Sequence, residues 1–250
     1  SPAIVGPRAR FDGAVDSIVA GKTLNAGQTC IAPDYALVPR ERVAAFIERA
    51  RARVAKLYPD LRHNRDYTSI VAERHYERLV RLADEAVRAG AQLHPLSDAP
   101  NDAARRVFAP CIVTNAPEDS AIMREEIFGP LLPLVLYDTL DEAIRYINAR
   151  ERPLALYVFD EDRSNIERVL RSTVSGGVAV NETLLQIACE GLPFGGVGAS
   201  GMGTYHGYEG FLTFSKLKPV FMQSRLNARS LLLPPYRRRF HTIIAMMLKL

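Results

Sequence analysis

Cys30 closes the stretch Asn25-Ala26-Gly27-Gln28-Thr29-Cys30, which lies between an amphipathic helical pattern and a strand pattern. A thiolate is a strong nucleophile toward a carbonyl carbon, leaves readily afterwards, and is only modestly disfavoured near neutral pH. That combination makes a cysteine a candidate for covalent catalysis. Taken alone, Cys30 does not define a site, because a free cysteine is usually a small buried hydrophobe. The residues around it offer no base. Cys111 and Cys189 likewise have no evident base or metal partner. Three scattered cysteines carry no zinc spacing, so no metal is expected.

A second candidate for chemistry is Gly196-Val197-Gly198-Ala199-Ser200-Gly201, which matches G-x-G-x-x-G. A dinucleotide fingerprint needs a strand before it, a helix opening from it and an acidic residue about 20 positions later. Here Leu192-Pro193-Phe194 precedes the glycines, Gly203 and Gly207 interrupt any following helix, and no acid stands near the later position. The match fails on context. Half of the 16 glycines fall within 191–210. That density excludes a regular helix and favours a loop whose backbone comes close to something.

The elements that must carry these segments follow from periodicity. Residues 8–24 read as a helix with Phe11, Val15, Ile18 and Val19 on one face, and 34–38 as a strand. Helices are expected over 41–57 and 70–89, and short strands at 91–94, 106–108 and 111–114. From 131 the pattern is clearest: strand, helix through Asn148, strand "ALYVF", helix through Arg171, and strand 177–181. Thr139 with Glu142, and Ser164 with Glu167, have capping-box spacing at the two helix starts. Strands alternating with helices across short joints give an α/β fold with a largely parallel sheet flanked by helices. No internal repeat is visible.

Composition narrows the class. The 250 residues are 48% hydrophobic and 24% charged, which is a folded rather than a disordered balance. The net charge of +4 has its clearest cluster at Arg237-Arg238-Arg239, with no basic face or recognised nucleic-acid module, so no nucleic-acid partner is expected. Few, unpaired cysteines suit a reducing compartment. No signal peptide is visible, and no apolar run approaches the ~20 residues of a membrane span. The expected location is the cytoplasm. The terminal "HTIIAMMLKL" either packs as a helix or lies on a membrane surface, and packing is the expectation.

Three segments together resemble the aldehyde dehydrogenase superfamily: Asn25–Cys30; "REEIFGP", Arg124 to Pro130; and "PFGGVGASGMG", Pro193 to Gly203. Their order and separations are specific to that family, and the resemblance runs from residue 1 to about 220. "GMGTYHGYEGFLTFSKLKPV" and "LNARSLLLPPY" are most similar to its class 3 branch, which includes coniferyl aldehyde dehydrogenases. In the family, a Gly-Gly-Lys-Ser-Pro segment preceded by the general-base glutamate leads into this region, and Ser1-Pro2 matches its end. The resemblance therefore implies a catalytic domain over 1–205 and a C-terminal segment with an oligomerisation strand over 206–250. It also implies that the N-terminal NAD(P)-binding domain, the base and an oxyanion-binding asparagine lie outside this chain, which alone is expected to be inactive.

Residue by residue, the resemblance makes Cys30 the nucleophile, forming a thiohemiacetal and then a thioester. Glu126 and Phe128 match positions that hold the nicotinamide end of NAD or NADP, through ribose hydroxyls and ring packing. Glu125 is taken as structural. Asn181, Phe194 and Gly195 match positions that support the active site, and Pro193 to Gly196 would form a tight turn near it. His206 also matches and is taken as structural. Leu184, Leu185 and Ile187 either line an apolar substrate funnel or are ordinary core. Residues 216–223 match a late extended segment that pairs with a partner subunit, implying a homodimer; an ordinary edge strand is the alternative. The activity implied is oxidation of an aromatic, coniferyl-type, or long-chain aldehyde. Two other classes stay open at this point: a cysteine-dependent hydrolase, and a non-catalytic interaction domain.

Overall fold

Three apolar runs, Pro2–Val5, Leu131–Tyr137 and Ala155–Phe159, are buried along most or all of their length, as strands covered on both faces must be. In the computed structural model, which describes residues 1–227, 229, 233–236 and 238–248, they belong to one seven-stranded sheet. The strands are β1 (Pro2–Val5), β2 (Tyr35–Pro39), β3 (Gln92–Pro95), β4 (Cys111–Thr114), β5 (Leu131–Tyr137), β6 (Ala155–Phe159) and β7 (Gly177–Val180). Their order is β3-β4-β5-β2-β1-β6-β7. Only β3 with β4 is antiparallel; every other pair is parallel. The α/β expectation holds. The interior strand β1, however, is formed by "PAIV", a run too short to show periodicity and not expected from the sequence.

Side-chain alternation divides the core into layers. Ala3 and Val5 of β1, Ala36 and Val38 of β2, and Tyr157 and Phe159 of β6 face α1 (Phe11–Thr23) and α2 (Val43–Leu57), whose Val15, Ile18, Phe46 and Ala50 complete that layer. Ile4, Leu37, Leu156 and Val158 point to the opposite face. There they meet Leu140, Ala143, Ile144 and Ile147 of α5 (Leu140–Asn148) and Val169 of α6 (Arg163–Ser172). A further cluster packs α3 (Glu73–Arg88) and the short α4 (Ala121–Arg124) around Leu79, Leu82, Val113 and Ile127.

Several local expectations need correction. Residues 106–108 form no strand: Val107 makes one isolated bridge with Asp102, because Arg106 at φ 54° turns the chain away. A helix, α7 (Gly207–Thr213), begins inside the glycine-rich stretch expected to be loop; the backbone of Tyr205 lies so close to Gly210 that a Cβ there would meet it at 3.1 Å. The Thr139–Glu142 capping box is present. At α6, by contrast, Asp162 is the cap, accepting from Ser164 N and Ser164 Oγ at 2.8 and 2.7 Å. Those bonds hold the Asp162 carboxyl below its usual range. Glu167 instead pairs with Arg163 and Arg171.

The chain divides into two units, Ser1–Phe214, which contains α7, and Ser215–Leu250. In the second unit, residues 216–223 form no strand with described residues, and α8 (Arg238–Met247) is a helix. Arg237 of the basic cluster, Lys249 and Leu250 of the terminal stretch, and Ala228, Ser230, Leu231 and Leu232 of "LNARSLLLPPY" lie outside the described residues. No described helix is long and apolar enough to cross a membrane.

The cap assignment has a direct check in urea unfolding. Asp162→Ala is expected to cost about 1 kcal/mol. Glu167→Ala removes only exposed helix-face pairs and is expected to cost a few tenths, ~0.3–0.5 kcal/mol per pair. The reverse order would return the cap to Ser164 and Glu167.

Candidate active site

The nucleophile loop is built by a break in helical geometry. After α1, Asn25 and Ala26 take φ 51° each and Gly27 takes φ 75°, three left-handed residues in succession. Such geometry is costly for the two that carry a Cβ. Gln28 holds it. Its backbone N and its Nε2 both donate to Asn25 O, at 3.1 and 2.9 Å, and Asn25 Nδ2 returns a bond to Gln28 O at 3.0 Å. The same Gln28 side chain reaches the 69–71 segment, donating to Ser69 O and accepting from Val71 N at 2.9 Å. Gly27 has no alternative: a Cβ there would stand 2.3 Å from Gly129 O. Beyond the cysteine, Ile31 O accepts from the buried Tyr157 Oη at 2.6 Å, and Gln186 Nε2 donates to that same hydroxyl at 3.2 Å. Burial pushes the Tyr157 phenol up to about 12, so it stays a donor. Cys30 itself is exposed, unlike the usual buried free cysteine.

The Glu126–Gly129 segment lies against this loop. Arg78 of α3 donates to Glu126 O at 3.0 Å and to Ile127 O, while Glu125 pairs with Arg81 at 3.2 Å, in line with its structural reading. Ile127 N donates to Asp34 Oδ1 at 3.2 Å. Phe128, at φ 46°, is about a third exposed. Burial, and then the neighbouring Asp34 charge, raise the Glu126 carboxyl, while Arg78 and Lys22 oppose the shift. Cys30 and Glu126 open onto one cleft of about 860 Å³, which Asp34, Tyr35, Arg152 and Ser200 also line. The Glu126 carboxylate accepts no hydrogen bond from the described residues, so its oxygens are free acceptors on the cleft.

The other expected residues lie away from that lining. Asn181, at φ 58°, ties the end of β6 by bonding both Asp160 N and Asp160 O at 3.0 Å. Phe194 is buried in the same core cluster as Ile31 and stacks edge-on to Tyr205. Gly195 is pressed between backbones: a Cβ would meet Gly203 O at 2.1 Å. The glycine loop thus folds back on itself, with Gly198 bridging Gly201, and no helix opens where the dinucleotide pattern would need one. It still delivers Ala199 and Ser200 to the cleft. Leu184 and Ile187 are partly buried against the core, and Leu185 is exposed. His206 packs its ring on Tyr205. Burial pushes the Cys111 thiol up to about 11, an inert environment, and Cys189 is exposed. Among the described residues no group of histidines, cysteines and acids could hold a metal.

Sequence reading missed Lys22, Asp34 and Tyr157. The first had a usable signal: Lys22 falls four residues after Ile18 on the apolar face of α1. It is 2% exposed and stands 3.8 Å from Asp34 Oδ1. Desolvation lowers its ammonium to about 8, with Asp34 and Glu126 only partly opposing. At roughly 1.4 kcal/mol per pKa unit, charging Lys22 in the folded chain costs on the order of 3 kcal/mol.

Two outcomes are expected. Gly27→Ala forces a Cβ onto Gly129 O and is expected to destabilise by more than about 2 kcal/mol. Gly177→Ala, with open space around it, should be nearly neutral; thermal unfolding compares them. For Lys22, the folded pKa lies below the unfolded one. Its penalty is therefore complete below about pH 8 and is relieved as pH rises toward 10.5. The stability difference between wild type and Lys22→Met should accordingly move in favour of wild type between pH 7 and 10.5. A difference independent of pH would show that Lys22 titrates normally.

Comparisons with known proteins show the family and the fold. A family model described as "Aldehyde dehydrogenase family" matches residues 1–220. A "Probable coniferyl aldehyde dehydrogenase" of Pseudomonas aeruginosa is 47% identical over 98% of this chain and 51% of its own length. The coniferyl aldehyde dehydrogenase of Pseudomonas sp. strain HR199 is 42% identical over 99% of this chain and 52% of its own. The solved substrate-bound AldH of Staphylococcus aureus superposes with a TM-score of 0.82 at 40% identity, over 99% of this chain and 53% of that one. The chain spans about half the length of the relatives it matches.

Proposed function

The chain belongs to the aldehyde dehydrogenase family, and from that premise we propose that it is the catalytic half of an NAD- or NADP-dependent enzyme. The reaction is oxidation of an aromatic, coniferyl-type, or long-chain aldehyde to the carboxylic acid. The observation that carries the reading is the meeting of Cys30 and Glu126 in one cleft. The names of the Pseudomonas relatives support the coniferyl-type substrate.

In this reading the Cys30 thiolate forms an S–C bond to the aldehyde carbon, and the carbonyl π pair moves to oxygen. Among the described residues no acceptor takes the Cys30 N–H, which leaves it for that oxyanion. A nicotinamide dinucleotide would supply a hydride acceptor, so that loss of hydride leaves a thioester on Cys30. Water then breaks the S–C bond, releasing the acid and returning the thiolate. Glu126 would hold the ribose through its free carboxylate oxygens, and Phe128 would pack beside it. The family resemblance assigns neither the water-activating base nor the dinucleotide-binding domain to residues of this chain. A homodimer through residues 216–223 is part of the same proposal, supported by the exposure of Leu217, Val220, Phe221 and Met222 there.

The test is steady-state oxidation of coniferyl-type and long-chain aldehydes with NAD or NADP, in the protein as expressed with its native flanking sequence. Cys30→Ser is expected to abolish turnover while leaving the melting temperature unchanged. Glu126→Gln weakens charge-assisted bonds worth about 1.5–3 kcal/mol and should raise cofactor KM roughly ten-fold or more. Undiminished turnover in Cys30→Ser would sink the reading.

A further inference from the structure

The segment that contains Glu126 and Phe128 has no ladder of its own. It runs between α4 and β5 without helical or strand hydrogen bonds, so its backbone groups need side-chain partners. Arg78 takes two of its carbonyls. Its Ile127 N–H goes to Asp34 Oδ1 at 3.2 Å. Asp34 lies four residues beyond Cys30 and is itself fixed to the start of β1 by donating its backbone N to Ser1 O at 2.8 Å. The acceptor for Ile127 therefore comes from the nucleophile's own strand lead-in. Ile127 sits between Glu126 and a Phe128 held at φ 46°, a conformation that relaxes if its neighbours are not fixed.

The charge balance at Asp34 is equally specific. Lys22 Nζ stands 3.8 Å from that same Oδ1, is almost fully buried and makes no hydrogen bond. An ammonium in that state is expensive for the fold, and the Asp34 and Glu126 carboxylates are what it faces. Glu126 in turn faces Asp34, Arg78 and Lys22. Lys22 thus favours the anionic form of Glu126 from beneath the cleft.

We infer that Asp34 is a positioning residue: its carboxylate locks the Glu126–Phe128 segment to the Cys30 strand lead-in, with Lys22 as the buried counter-charge. This rests on the functional reading above and deepens it. Reaction at Cys30 needs two separately built segments in fixed register, and a misplacement of about 1 Å can cost on the order of a hundred-fold in rate. Asp34 is a side chain of one segment bonded to the backbone of the other.

The experiment compares wild type, Asp34→Ala, Asp34→Asn and Lys22→Met in the protein with its native flanking sequence. It reads NAD and NADP affinity by calorimetry, amide exchange at Ile127, iodoacetamide labelling of Cys30 without cofactor, and aldehyde turnover. Asp34→Ala is expected to weaken cofactor binding roughly ten-fold or more, the loss of one good hydrogen bond to an ordered segment. It should also speed exchange at Ile127, yet leave Cys30 labelling within about two-fold. Asp34→Asn keeps an acceptor oxygen and should fall between. Lys22→Met should raise the proton affinity of Glu126, so the acid-side loss of cofactor affinity moves to higher pH. Wild-type affinity and exchange in Asp34→Ala would overturn the inference. So would loss of labelling and melting temperature in proportion to affinity in both Asp34 variants, which would make Asp34 plain fold support. Wild-type protein that turns over no aldehyde fails the functional reading and takes this inference with it. Wild-type turnover beside an indifferent Asp34→Ala fails the inference alone.

Discussion

Two backbones meet where Gly27 faces Gly129, so close that a single methyl group on the first would overlap the carbonyl oxygen of the second. Everything chemical in the first unit depends on that approach. It sets the distance between the loop that ends in Cys30 and the segment that carries Glu126. It also requires the left-handed run over Asn25, Ala26 and Gly27, which in turn requires Gln28 to bond back to Asn25 and out to Ser69 and Val71. Gly129 is confined from its other side too, since a Cβ there would strike the Leu79 side chain of α3. The contact is thus clamped between the helix layer and the sheet, and neither loop can move without opening a packed interior.

The sheet supplies the frame for this contact. Tyr157, in the centre of β6, is buried for most of its surface but ends in a hydroxyl that takes Ile31 O, one residue past Cys30. Its position on the same face as Ala3, Val5, Ala36 and Val38 follows from strand alternation. A tyrosine in such a layer fills space as a phenylalanine would and fastens the nucleophile loop as well. Gln186 donates to the same hydroxyl, so the 185–188 turn and the nucleophile loop share one anchor. The glycine-rich stretch works differently. It has no side chains to pack at Gly195 and Gly196, and it is held by backbone lying on backbone while Phe194 alone reaches the core.

The layers were legible in the sequence because periodicity reports burial. Helices at 41–57 and 70–89 and the strands from 131 onward stand close to where the spacing of apolar residues put them. The capping box at Thr139 was legible because both of its partners are local. At α6 the same pattern misled: Asp162 is a better acceptor for the first free N–H groups, and Glu167 found arginines one turn away. Four residues at β1 are too few to show a period, although they form an interior strand of the sheet. Of the site, Cys30 and Glu126 were identifiable through family resemblance, and both open onto one cleft. Asp34 was invisible because its role is a bond to Ile127, 93 positions away. Lys22 was visible only as a lysine on the wrong face of a helix. Asn181 illustrates the opposite case, a residue singled out by resemblance whose side chain serves the end of a strand.

The position of β1 has a consequence for how the chain reaches this state. Residues 2–5 pair on one side with residues 35–37, a nearby partner in sequence. On the other side Ala3, Ile4 and Val5 must wait for Tyr157, Val158 and Phe159. Closing so long a loop carries an entropic cost that the contact repays only once both strands are present. Until Tyr157, Val158 and Phe159 are in place, β1 is a hydrophobic strand with one open edge. Such an edge is a template for pairing with other chains. The helices α1 and α2, which follow at once in sequence and cover one face of β1 and β2, give that early pair a shelter from solvent on one side. The opposite face remains bare until α5 and α6 arrive with the strand that closes the sheet.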